Sequence, residues 1–83
     1  MNAIEMKAAS DYLAHCMAPT GMQYAGGSDR TGQRLYVDDT LGLKISVYLT
    51  KSTVVITNSK RQRWILKNVR DYADICRDLY KYV

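Results

Sequence analysis

The apolar positions divide the chain into a helical beginning, an alternating middle and a helical end. Placed about 100° apart, Met6, Ala9, Tyr12, Leu13, Cys16 and Met17 fall on one stripe, and Lys7, Asp11, Ala14 and His15 fall on the other side. Asn2 followed by Glu5 predicts a capping box, in which the Asn side chain takes an orphan N–H and the Glu reaches back. Pro19 disfavours helical geometry at Ala18, so the predicted helix spans 3–17. Residues 19–32 carry one proline, four glycines and small polar residues, which predicts a loop with room for an edge strand around Met22 to Ala25.

From Gln33 the period changes to two. Arg34 to Val37 is a short strand, ended by the turn chemistry of Asp38, Asp39 and Gly42. Leu43, Ile45, Val47 and Leu49 alternate with Lys44, Ser46, Tyr48 and Thr50 in the clearest strand of the chain. A turn at Lys51-Ser52 leads into the β-branched run Thr53 to Thr57, and Asn58-Ser59-Lys60 turns the chain into a further strand over 63–67. Short connections favour antiparallel neighbours. Asn68 is the expected cap of a last helix over 69–83, whose stripe holds Val69, Tyr72, Ala73, Cys76, Leu79, Tyr80 and Val83. The predicted fold is a single α+β domain spanning 1–83. It has a three- or four-stranded antiparallel meander, with an N-terminal and a C-terminal helix packed on one face.

Composition narrows the class further. A hydrophobic fraction of 47% with 24% charged residues is ordinary for a folded domain and argues against disorder. No apolar run approaches the roughly 20 residues that cross a bilayer. Glu5, Lys7 and Asp11 interrupt the N-terminal stretch where a signal peptide needs an apolar core. The expectation is a soluble, cytoplasmic protein with no membrane association. Cys16 and Cys76 fall on helix stripes, which favours buried free thiols over a bridge. With His15 they are too few for zinc, so no metal or cofactor is expected.

Catalytic constellations are weak. His15 and Cys16 point about 100° apart on the same helix and do not face each other. Gly27 to Gly32 has the outer spacing of a phosphate loop, but Gln33 and Arg34 stand where Lys and Ser or Thr are required, and a strand follows instead of a helix. Asp38-Asp39 is better explained by a turn than by a metal site. These patterns favour a non-enzymatic protein.

Charge is the stronger signal. Between Thr40 and Arg70 stand Lys44, Lys51, Lys60, Arg61, Arg63, Lys67 and Arg70 with no acid among them, so that segment is +7 and the rest of the chain −3. If Leu43, Ile45, Val47 and Leu49 face the helices, Lys44, Ser46 and Tyr48 face away. The same alternation turns Leu35, Val37, Trp64 and Leu66 inward and Arg34, Tyr36, Arg63, Ile65 and Lys67 outward. The open face then shows Tyr36 and Tyr48 among Arg34, Lys44, Arg63 and Lys67, with Lys60 and Arg61 extending the patch from a turn. Rings to stack on bases among cations for phosphates is the composition of sheet-based single-strand binders. Solvation and protection of sheet edges would use the same lysines and arginines. Seven tyrosines with no phenylalanine suit half-buried and contact positions. Tyr24 and Tyr82 are candidates for a protein contact, and Tyr12, Tyr72 and Tyr80 for the rim of the core. The expected function is a binding module for an acidic macromolecule, with nucleic acid or a nucleoprotein complex leading. The alternative is a protein–protein regulator or inhibitor that covers a partner's functional surface, as phage and mobile-element counter-defence proteins do. An open sheet edge is also compatible with a homodimer.

Overall fold

The computed structural model describes residues 1–83 and has the α+β architecture that the periodicity predicts. Helix α1 spans Ala3–Met17. It starts on the expected capping box: Glu5 N–H donates to Asn2 Oδ1 at 2.8 Å, and Asn2 N–H donates to Glu5 Oε1 at 3.2 Å. Pro19 turns the chain through a short 3-10 segment, Ala18–Thr20, into Gly21, which sits at φ 77°.

The predicted loop contains a strand, close to where an edge strand was expected. β1, Gln23–Ser28, pairs with β2, Gln33–Asp38, and reduces the loop to residues 29–32. β3 (Leu43–Tyr48), β4 (Thr53–Thr57) and β5 (Arg63–Leu66) follow. The sheet therefore has five strands, in the order β1-β2-β3-β4-β5, each antiparallel to the next. β1 escapes the alternation test because its residues are mostly exposed and a bulge between Tyr24 and Gly26 breaks its register.

Register brings apolar side chains together on the helix side. Ile45 lies opposite Ile56, Val47 opposite Val54, Val54 opposite Leu66 and Ile56 opposite Trp64. Met6, Leu13 and Met17 of α1 close the same core, together with Leu79 and Tyr82 from the C-terminal segment. Both ends of the chain thus pack on one face, as expected.

The C-terminal element departs from the expected long helix. α2 covers only Tyr72–Arg77, and a 3-10 turn follows at Leu79–Tyr82. Asn68 is not its cap: it adopts φ 56°, while Asp71 Oδ1 accepts Ala73 N–H at 3.0 Å. In a 3-10 turn residues i and i+3 eclipse, so Leu79 and Tyr82 point the same way and both are buried. An α-helical period would have left Tyr82 outside and Tyr80 inside; instead Tyr80 is exposed. The tighter winding is held by the edge contact of Tyr82 with Trp64, ring centroids 5.1 Å apart. Tyr82 is therefore a core residue and not a partner contact.

Tyr12 and Asp71 clasp the helices, the hydroxyl donating to Oδ1 at 2.7 Å. This hydrogen bond, with the Ala73 N–H, lowers the Asp71 carboxyl below its usual range. Because the folded pKa lies below the unfolded one, the clasp stabilises the fold fully above the unfolded value. That stabilisation disappears as pH falls through the folded value. Tyr12→Phe is expected to move the Asp71 titration back up, followed by carboxyl NMR; an unchanged titration would show that the hydroxyl does not hold the carboxylate.

Candidate binding surface

Cross-strand partners share a face, so the register decides which side chains the sheet leaves open. On β2 the register inverts the expected assignment. Arg34 lies opposite Val47 and Tyr36 opposite Ile45, both core positions, while Leu35 lies opposite Ser46 and Val37 opposite Lys44. Arg34 and Tyr36 are buried, and neither belongs to the open surface. Leu35 and Val37 take their place.

The inversion is chemically tolerable because Arg34 is fully engaged. Its Nε donates to Ser10 Oγ at 3.0 Å, Nη1 to the Gln33 carbonyl at 2.8 Å, and Nη2 pairs with Asp29. A buried guanidinium with such partners avoids most of the cost of an unpaired charge. Tyr36 meets the Tyr24 ring edge-on at 5.5 Å, and burial pushes its hydroxyl pKa up. Gly27 lets the arginine pass: a Cβ there would lie 2.2 Å from the Gln33 carbonyl oxygen and 3.1 Å from Arg34 Cδ. Gly27→Ala must part the β1–β2 hairpin, and a loss of about 2 kcal/mol in denaturant unfolding is expected. A neutral substitution would mean that β1 is not held in this register.

The open face has three rows across the strands. Val37, Lys44, Thr57 and Arg63 form one. Leu35, Ser46, Val55 and Ile65 form the next, and Gln33, Tyr48 and Thr53 the third. None of these residues is acidic. Lys44 and Arg63 are exposed, Tyr48 is half-buried, and Ile65 keeps 52% of its surface in solvent. Lys60 and Arg61 are exposed on the β4–β5 turn, and Lys67 is exposed one residue beyond β5. The structure thus brings Lys44, Tyr48 and Arg63 together, keeps Lys67, Lys60 and Arg61 at the margins, and removes Arg34 and Tyr36.

The cations of the acid-free segment have no internal partners. The ion pairs of the chain are Lys7–Asp11, Arg34–Asp29 and Arg77–Asp74, and none involves a residue between Thr40 and Arg70. By contrast, a cleft of about 420 Å³ between α1 and the β1–β2 hairpin is lined by Lys7, Asp11, Asp29 and Arg34. Its charges already neutralise one another.

The residues missed from the sequence are Leu35, Val37 and Val55. Alternation within β2 fits two opposite facings, since Tyr pairs with aliphatic neighbours as readily as Leu does. The missing information was the β2–β3 register.

The two thiols lie at the helix pair. Cys76 Sγ is 3.8 Å from Met17 Sδ, and both cysteines are free. Desolvation raises the Cys76 pKa to about 11, the opposite of the lowering that activates a nucleophilic cysteine. His15 is exposed on α1. No helix is long and apolar enough to cross a membrane. The chain matches no protein-family model, no curated protein and no solved structure.

Proposed function

We propose that this chain is a small, non-enzymatic, cytoplasmic binding protein that docks the open face of its sheet on an acidic macromolecule. One observation carries the reading: a sheet face without a single carboxylate, bordered by cations that pair with nothing in their own chain. Unpaired cations around a partly apolar surface complement a partner of opposite sign and raise the rate of encounter with it. The core side of the sheet is already covered by α1, α2 and the 3-10 turn, so the open face is the surface left for docking.

Binding by these cations has a salt signature. With three to five of them engaged on a single-stranded oligonucleotide, affinity falls about 20- to 130-fold between about 50 and 200 mM salt. Fluorescence anisotropy with a labelled oligonucleotide and with labelled polyglutamate measures this. Lys44→Glu with Arg63→Glu is expected to weaken the association by at least about tenfold at low salt. No binding of either polyanion at low salt would remove the basis of the proposal.

A further inference from the structure

We infer that the occupant of the open face is an acidic amphipathic helix of a partner protein, an inference that rests on the face being the binding surface. β4 supplies a floor of β-branched, uncharged side chains: Thr53, Val55 and Thr57. Lys44, Ser46 and Tyr48 of β3 border it on one side, and Arg63 and Ile65 of β5 on the other. Lys44 and Arg63 face each other across Thr57. They stand two strand spacings apart, about 10 Å. That separation matches the diameter of a helix with its side chains, about 10–12 Å. A helix lying along β4 therefore rests its apolar stripe on Val55, between Thr53 and Thr57 and with Ile65 alongside, and places a carboxylate on each flank, one against Lys44 and one against Arg63. A five-residue strand runs about 17 Å and accommodates about 11 helical residues.

The other occupants match less of this surface. Single-stranded nucleic acid needs aromatic platforms for its bases. With Tyr36 buried, the three rows hold one ring, Tyr48, beside aliphatic Leu35, Val55 and Ile65. A second copy of this chain would present another carboxylate-free, cationic face, and like charges would meet.

The test uses the whole chain, isotopically labelled, and four probes followed by amide chemical shifts. The probes are a designed helical peptide with one apolar stripe flanked by glutamates, an isomer of the same composition with the stripe scrambled, polyglutamate, and a single-stranded oligonucleotide. The striped peptide is expected to shift the amides of Lys44, Val55, Thr57, Arg63 and Ile65 and to bind at least about tenfold more tightly than its scrambled isomer. Ile65→Ser and Lys44→Glu, with native amide dispersion retained, should each weaken it severalfold. Equal binding of the two peptides, with polyanions shifting the amides of Lys44 and Arg63 but not those of Val55 and Ile65, overturns the helix and leaves basic docking on the open face intact. Preferential perturbation of Val55 and Ile65 by the oligonucleotide assigns the face to nucleic acid and overturns it too. So does a concentration-dependent dimer that protects the same amides. If no probe binds at low salt, the inference and the reading beneath it fail together.

Discussion

Replacing Ile56 with alanine is expected to cost about 3–4 kcal/mol and to bring a chain of this size close to unfolding. Ile56 has no exposed surface and sits on β4, an interior strand, opposite Ile45 on one side and Trp64 on the other. Deleting its outer carbons removes their transfer free energy. It also leaves a void that two neighbouring strands cannot both close, because each is fixed by its own ladder. A domain of 83 residues has about 4–12 kcal/mol of stability in all. Ile56→Val, which keeps the branched carbon, should cost only about 1 kcal/mol. Urea unfolding of the two variants checks the ratio. A loss below about 1 kcal/mol for the alanine variant would mean that Ile56 is not at the centre of the packing.

Asn58→Ala is the second large effect expected, about 2–4 kcal/mol, and its origin is polar. Asn58 is buried at the end of β4, and both ends of its amide are used. Oδ1 accepts the N–H groups of Lys60 and Gln62, each at 3.0 Å. Nδ2 donates to Gln62 Oε1 and to the Tyr82 carbonyl, each at 2.8 Å. One side chain thus shapes the turn that carries Lys60 and Arg61 and anchors the C-terminal 3-10 turn to the sheet. Truncation leaves the buried Tyr82 carbonyl and the part-buried turn amides without this partner, which costs more than the bonds contribute when made. Asn58→Asp keeps the acceptor and loses the donor, so it should free the Tyr82 end and spare the turn. Loss of amide protection confined to residues 79–83 would show this. An Asn58→Ala variant as stable as the parent would contradict the buried network.

Much of the fold is legible in the residues because local rules agree with the tertiary outcome. The capping box at Asn2 and Glu5, the alternation from Leu43 and the β-branched run at Thr53 each specify the element that forms. Three features were hidden in whole or in part, each for a physical reason. β1 is glycine-containing and bulged, so its period is broken and the residues show only room for an edge strand around Met22 to Ala25. The C-terminal helix changes pitch after Asp78, and a 3.6-residue stripe then misplaces Tyr80 and Tyr82. The facing of β2 depends on a pairing between strands and on the partners that Arg34 finds in Ser10, Asp29 and Gln33. Of the candidate surface, Lys44 and Tyr48 were legible because β3 alternates without ambiguity, and Arg63 because it is the one charged residue of β5; Arg34 and Tyr36 were not.

The meander has a consequence for how the molecule comes apart. Each strand bonds only to its neighbours in the chain, so every hairpin closes over a short loop at small entropic cost. The helix clasp instead joins residues 59 positions apart, through Tyr12 and Asp71. Short-range closure leaves the central strands as the slowest-exchanging unit, whereas the clasp and the 3-10 turn can open while the sheet persists. The open face belongs to that persistent unit. A partner seated on it would hold on to the chain even while its two ends come loose.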